Sequence, residues 1–188
     1  MMPRRLLALA VALAVAACAA LQPAAPPAPP FDLSGRVLVS YDRRAFAAGL
    51  RWRHTPPQDE ISLLTPLGQT IAHIENGADG ATLTGADRRS YHAASVESLT
   101  RQALGWEFPL AHLRHWVRGE PAPGSVPNVL ERDAGARLTL LEQEGWRIMF
   151  THYPLEQHGG RPRRLELDHA AQRIRLVIDE WRAEGAAK

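Results

Sequence analysis

Two pairs of titratable side chains have the types and spacing that chemistry would need. His112 and His115 are three residues apart, so on a helix both imidazoles would share one face and could act as two metal ligands. No H-E-x-x-H motif or cysteine pair accompanies them, and packed or solvated histidines are the alternative. Asp179 and Glu180 are adjacent carboxylates, but neighbours on a strand point to opposite faces. We therefore predict no enzyme, no metal site and no cofactor.

The most informative reactive side chain is Cys18, the only cysteine. It follows Val15-Ala16-Ala17 and a basic start with an apolar stretch over residues 6–17. That stretch is too short to span a bilayer, which takes about 20 residues. The segment resembles the bacterial lipobox, in which the chain is cleaved before a cysteine whose thiol carries a diacylglycerol. It predicts a lipoprotein signal peptide at residues 1–17, and the alternative is a plain signal peptide with an incidental cysteine.

The segment after the cysteine predicts a tether. Residue 19 is alanine, whereas an aspartate there favours inner-membrane retention in enteric-type lipoproteins, so this resemblance implies an outer-membrane anchor. Residues 22–30 are rich in proline, which favours an extended polyproline II chain rising about 3.1 Å per residue. We interpret residues 18–30 as a lipidated cysteine and linker, and recognition of the proline-rich segment by a partner is the competing reading.

The length and charge of the chain limit the classes of protein to which it could belong. The chain has 188 residues, 45% hydrophobic and 22% charged, which is typical of one globular domain. Lysine and arginine total 22 against 20 acidic residues, but Arg4 and Arg5 fall in the signal segment, and without them the counts are equal. A nucleic-acid-binding domain normally carries a basic surplus. We predict no nucleic-acid partner and a monomer.

Hydrophobic periodicity predicts a mainly β protein with two helices in its centre. Residues 31–41 alternate apolar and polar side chains, the pattern of a half-buried strand, although Leu38 interrupts the polar face. Comparable strands follow, about eleven in total. Between them, a helical stripe that includes Trp106 follows the N-cap candidate Ser95, and Gly105 is predicted to end that first helix.

The connections between the strands are short, which requires an antiparallel sheet. We therefore predict a strongly bent, partly closed barrel whose one opening is covered by the helices. The domain occupies residues 31–183, and residues 184–188 form a tail.

Two further features are ambiguous from the residues alone. Pro66-Leu67-Gly68 between two strands predicts a turn with a leucine at its tip, and that leucine could face water or fold under the sheet. The five tryptophans could pack an ordinary core or line a cavity. They are Trp52, Trp106, Trp116, Trp146 and Trp181.

Several stretches together resemble the outer-membrane lipoprotein receptor family, LolB. They include Leu33-Ser34-Gly35-Arg36-Val37, Leu63-Leu64-Thr65-Pro66-Leu67-Gly68-Gln69, Leu104-Gly105-Trp106-Glu107-Phe108-Pro109-Leu110 and His115-Trp116-Val117-Arg118-Gly119. The resemblance spans about residues 31–182. It implies an unclosed antiparallel β-barrel capped by helices, like the periplasmic carrier LolA.

The resemblance also implies a function. The family accepts lipoproteins from LolA and places them in the outer membrane, so the implied partners are a LolA-type carrier, lipoprotein acyl chains and outer-membrane lipid. The implied location is the periplasmic face of the outer membrane, with a lipid anchor. The alternative is a structural outer-membrane lipoprotein that binds protein partners or envelope polymer.

The resemblance assigns membrane insertion to the loop Pro66, Leu67 and Gly68. The candidates for an acyl-chain cavity are bulky apolar residues that either alternate with polar residues along a strand or lie on the apolar stripe of a helix. Each of them could instead be an ordinary core position. They are Val37, Val39, Phe46, Leu50, Trp52, Leu63, Trp106, Leu110, Trp116 and Trp146.

Overall fold

The computed structural model describes residues 27–182, and within that range the chain forms eleven strands and two α-helices, as predicted. The strands are β1 (Phe31–Tyr41), β2 (Arg44–Thr55), β3 (Gln58–Leu64), β4 (Thr70–Gly77), β5 (Gly80–Gly85), β6 (Ser90–Ala93), β7 (Asn128–Arg132), β8 (Leu138–Gln143), β9 (Trp146–His152), β10 (Pro162–His169) and β11 (Gln172–Arg182). The helices are α1 (Val96–Leu104) and α2 (Leu110–Trp116), and His158–Gly160 is a short 3₁₀ turn. No helix in this range is long and apolar enough to cross a membrane.

All eleven strands belong to one antiparallel sheet that does not close. Their order is β6-β5-β4-β3-β2-β1-β11-β10-β9-β8-β7, which leaves β6 and β7 as edges. The pairing of β1 with β11 joins the first and last strands in the middle of the sheet, and its register shifts after Ser34. A Cβ atom at Gly35 would lie 2.1 Å from the carbonyl oxygen of Val177, so only glycine allows the two strands to approach this closely.

Contacts made by α2 show that the sheet is strongly curved. Arg114 bonds to Asp59 in β3, and Trp116 bonds to Gln143 in β8. These strands are six positions apart in the sheet, which would be about 29 Å in a flat sheet at about 4.8 Å per strand. Two side chains of one short helix can reach both only because the sheet bends around it. The predicted unclosed barrel capped by helices is therefore confirmed.

The concave face of the sheet and the inner faces of the helices form one hydrophobic core. The predicted N-cap is confirmed, because Ser95 Oγ accepts a hydrogen bond from the backbone N–H of Ser98 at 3.2 Å. The prediction that Trp106 belongs to the first helix is wrong. The helix ends at Leu104, because Gly105 adopts a left-handed φ of 78°, and Trp106 packs from the connection between the two helices.

A buried carboxylate, Asp59, joins four elements at one end of the core. Its Oδ1 atom accepts hydrogen bonds from Trp52 Nε1 at 2.9 Å and His54 Nδ1 at 2.8 Å. Its Oδ2 atom accepts from Asn76 Nδ2 at 3.3 Å and from Arg114 of α2. Burial alone would raise the pKa of Asp59, but the bonds from His54, Arg114 and Trp52 outweigh it and hold that pKa below its ordinary value.

The same group of side chains also holds the segment that leads into the sheet. His54 Nε2 lies 3.2 Å from the carbonyl oxygen of Ala28, and Ala28 is itself buried. Through His54, Asp59 therefore links the end of the predicted linker to β2, β3, β4 and α2.

We expect Asp59→Asn to lower the free energy of unfolding by about 3 kcal/mol, because removing one partner of a buried ion pair leaves the other charge uncompensated. Urea unfolding followed by tryptophan fluorescence measures the change. Asp168→Asn is the matched control. It removes the partner of Arg173 in a pair whose side chains are 34% and 60% exposed, so it should change stability little.

The same substitution should remove part of the acid sensitivity. A carboxyl whose folded pKa lies below its unfolded value, about 3.9, contributes stability that is fully present above about pH 5. That stability is lost as the pH falls through the lower, folded pKa. Identical pH profiles for the original protein and Asp59→Asn would contradict this assignment.

Candidate functional site

The core encloses a small apolar void between β1–β4 and the helical cover. Its volume is about 20 Å³, which is room for about one water molecule. Thr100 supplies the one hydroxyl in its wall, and that hydroxyl bonds to the carbonyl of Val96 and the N–H of Phe108. The wall residues are Val37, Phe46, Leu50, Ile61, Leu63, Ile74, Thr100, Leu104, Trp106 and Phe108. No titratable side chain lines the void, so it suits a hydrocarbon rather than a polar reactant.

Half of the predicted cavity residues line this void, and half do not. Val37, Phe46, Leu50, Leu63 and Trp106 lie in its wall. The others are buried outside it, namely Val39, Trp52, Leu110, Trp116 and Trp146. A role for either group in holding a ligand stays a prediction.

Two of the tryptophans outside the void wall are held by hydrogen bonds. Trp52 Nε1 donates to Asp59, and Trp116 Nε1 donates to Gln143 Oε1 at 2.9 Å. The same Gln143 oxygen accepts from the N–H of Ala122. Trp52 therefore links β2 to β3 within the sheet, whereas Trp116 links α2 to β8, and Gln143 also holds the segment at Ala122.

Sequence reasoning missed several residues of the void wall. Ile61 and Ile74 are direct cross-strand partners on the inner face, and the alternation of Ile61 with Leu63 on β3 could have identified the first of them. Phe108 lies in the irregular connection between the helices. No periodic pattern marks such a position, so only the folded chain shows that it packs against the void.

The two helices are held to the sheet in different ways. α2 is fixed by the ion pair of Arg114 with buried Asp59. The C-terminal end of α1 is held where Tyr41 Oη donates to the carbonyl of Leu104 at 2.9 Å. The connection after it is held by Gln172, whose Nε2 donates to the carbonyl of Glu107 at 2.6 Å. To the sheet, the α1 side of the cover is therefore held by neutral hydrogen bonds and apolar packing, and to α2 it is joined where the Glu97 carboxylate accepts from the N–H of Ala111 at 2.9 Å.

The turn between β3 and β4, residues 65–69, carries an exposed leucine at its tip. Its base is closed by hydrogen bonds from the N–H of Thr65 to the carbonyl of Gln69 at 2.8 Å and from the N–H of Gly68 to the carbonyl of Thr65 at 2.9 Å. Gly68 has a φ of 80°, which glycine adopts without strain. Leu67 is 88% exposed. Of the two readings left open by the sequence, the leucine faces water.

The two histidines of the metal-site hypothesis, His112 and His115, lie on α2. Within residues 27–182, no three metal-binding side chains come together. His112 stacks on Trp116 with ring centroids 5.4 Å apart, and burial lowers the pKa of His115. Cys18, the signal segment and the tail at residues 184–188 lie outside the described residues.

Comparison with known proteins places the chain in a family. Residues 29–181 match the family described as outer membrane lipoprotein LolB. The chain is 38% identical over 189 residues to the outer-membrane lipoprotein LolB of Chromobacterium violaceum, covering 96% of this chain and 99% of that protein. Its identity to the protein of that name from Nitrosomonas europaea is 39% over 157 residues, covering 82% and 74%.

A solved structure shows the same fold. A LolA superfamily protein from Nitrosomonas europaea superposes with a TM-score of 0.53 at 9% identity, covering 86% of this chain and 89% of that one. The fold, the match over nearly all the described residues and the identity to full-length relatives agree with the resemblance in the sequence motifs. The chain belongs to the outer-membrane lipoprotein LolB family.

Proposed function

We propose that this protein accepts lipoproteins from a periplasmic carrier of the LolA type and places them in the outer membrane. It acts as a monomeric binding protein on the periplasmic face and not as an enzyme. The observation that carries the proposal is the apolar void, without titratable groups, under a two-helix cover. Membership of the LolB family supports the same role.

The energetics of the cargo favour a protein with a removable cover. Burying a CH₂ group is worth about 0.8 kcal/mol, so one long acyl chain carries roughly ten kcal/mol of surface that avoids water. A void of about 20 Å³ holds no such chain. The interior must therefore enlarge when cargo enters, and apolar packing must re-form when it leaves.

The α1 side is the part of the cover that moves. This side contributes Thr100, Leu104, Trp106 and Phe108 to the void wall. Displacing it therefore opens the void to solvent. α2 stays in place, because opening it would separate Arg114 from the buried carboxylate of Asp59. Transfer then needs no nucleotide, provided that the bilayer holds acyl chains more tightly than the open cavity does.

We expect Tyr41→Phe to favour the open form. The substitution removes the hydroxyl that holds Leu104, and one neutral hydrogen bond contributes about 1 kcal/mol, or roughly fivefold in a population. The variant should bind a fluorescent fatty acid more tightly by up to about that factor.

Tyr153→Phe provides the matched control for this prediction. Its hydroxyl also donates to a backbone carbonyl, that of Ile178, at 2.7 Å, but neither residue belongs to the cover. The control should bind the probe as the original protein does. Equal affinities for Tyr41→Phe and Tyr153→Phe would show that this bond does not restrain the cover.

Membrane delivery is the second part of the proposed function. Leu67 at the tip of the β3–β4 turn enters the outer-membrane surface while cargo leaves the cavity. Burying one leucine contributes about 1.5–3 kcal/mol, which is too little to hold the protein on a membrane alone. It is enough to orient a domain that a lipid anchor already keeps near the bilayer.

We expect Leu67→Glu to accept cargo from the carrier but to fail in delivering it, because a carboxylate resists entry into the apolar layer. The measurement follows one labelled lipoprotein from purified carrier to this protein and then to liposomes. Leu155→Glu is the matched control, since Leu155 is also an exposed leucine, at 67%. A block of uptake, or normal delivery by Leu67→Glu, contradicts the role of the loop.

The anchor itself is assigned to Cys18. We expect mass spectrometry of the mature protein to find a lipidated cysteine as its first residue, after removal of residues 1–17. Two acyl chains already suffice for stable attachment, so Cys18→Ser should release the protein from outer-membrane fractions. An unmodified thiol in the mature protein would refute the assignment.

A further inference from the structure

The outer face of the sheet carries a second apolar surface that the transfer function does not use. A groove of about 580 Å³ crosses the central strands β11, β1, β2 and β3, and the β3–β4 turn forms one of its walls. We call it the outer groove, and its main lining residues are Leu38, Ala47, Gly49, Leu64, Pro66 and Val177. Its volume lies within the range of small-molecule sites, about 300–1,000 Å³.

The strand register places most side chains of this groove on the outer face of the sheet. The inward residues Val37 and Ala48 also border it, and Val37 lines the void as well. Leu38 lies directly opposite Ala47 on β2, and Gly49 lies opposite Leu64 on β3. These pairs alternate with the inward pair of Val37 and Ala48, so they belong to the convex face. Leu38, which interrupts the polar face of the first strand, is part of this groove.

The rim of the groove has an excess of positive charge. Arg36 pairs with Asp179 at 2.8 Å, which balances both charges. On the other side, Glu166 is shared by Arg164 and Arg175, and its oxygen lies 3.7 Å from Arg175 Nε. One carboxylate therefore faces two guanidinium groups.

Of the two arginines that share Glu166, Arg175 makes the weaker contact with it. The 3.7 Å separation exceeds hydrogen-bonding distance, and Arg175 Nε is buried with no hydrogen-bond acceptor among the described residues. The Arg175 side chain as a whole is 38% exposed. An anion at the rim can therefore reach this guanidinium from solvent.

We propose that the outer groove binds a phospholipid of the target membrane, with one acyl chain against the groove floor and the phosphate at Arg175. An apolar floor beside an unbalanced guanidinium matches the two chemical parts of such a lipid. A peptide fits less well, because β1 and β11 are each paired on both sides and offer no free edge for strand addition. The groove is continuous with Pro66 and Gly68, which flank the leucine proposed to enter the bilayer.

This proposal deepens the proposed function, because it extends the membrane contact from one leucine tip to the face of the sheet. When Leu67 enters the headgroup region, the adjacent groove would take up a lipid displaced by the loop. The bound lipid would fix the rotation of the domain at the surface, which a single inserted side chain does not define.

The test compares two introduced cysteines on one face of one strand. Ala47→Cys lies in the groove, and Thr55→Cys lies eight residues farther along β2, about 26 Å away. Both positions are exposed, and the natural Cys18 is common to both variants. Full-length protein carrying a nitroxide at either site is placed in liposomes of phosphatidylethanolamine and phosphatidylglycerol, and electron paramagnetic resonance measures access to oxygen and to a water-soluble nickel complex.

We expect the label at position 47 to be several-fold less accessible to nickel and more accessible to oxygen than the label at position 55. Adding Arg175→Gln to Ala47→Cys should reduce this lipid exposure. Equal nickel access at positions 47 and 55 overturns the proposal. Protection of position 47 from nickel that depends on the density of protein rather than on the lipid also overturns it, because that result would assign the groove to a second copy of this chain. No cargo is present, so these outcomes are independent of the transfer assay.

Discussion

The structure depends on one constraint: an apolar sheet face must be kept from water although the sheet does not close. The edges β6 and β7 remain unpaired with each other, so hydrogen bonding between strands cannot seal the interior. Two short helices cover it instead, and both bury their apolar residues against the concave face. A cover of this kind is held by side chains and can move, whereas a closed barrel would have to break its backbone ladder.

The same interior therefore has to serve both stability and binding. Charge provides the fixed point of the structure, because the carboxylate of Asp59 accepts hydrogen bonds from four donors on β2, β4 and α2. Where the proposed function needs movement, α1 is held to the sheet by neutral bonds such as that of Tyr41 to Leu104. The cost of separating a buried ion pair exceeds that of one neutral hydrogen bond, so the two ends of the cover differ in the ease with which they open.

Much of the fold was readable from the sequence, because strand and helix periodicity reflect local geometry. Alternation over residues 31–41 predicted β1, and the Ser95 cap and Gly105 correctly bounded α1. The number of strands followed from counting such segments. Trp106 was assigned to the helix wrongly, because its spacing fits a helical stripe but a left-handed glycine ends the helix before it.

The sequence by itself determined which apolar side chains of the regular strands face inward, the antiparallel pairing that short loops require and the family that the motifs resemble. Only the tertiary structure decided how the interior is divided. Trp52 and Leu63 are indistinguishable by pattern, yet Trp52 is bonded to Asp59 and Leu63 lines the void. It also decided that Leu67 faces water and that Leu38 joins an outer groove. Periodicity indicates which face of its strand or helix a residue occupies. The residues that it contacts on that face come from distant strands, which only folding brings together.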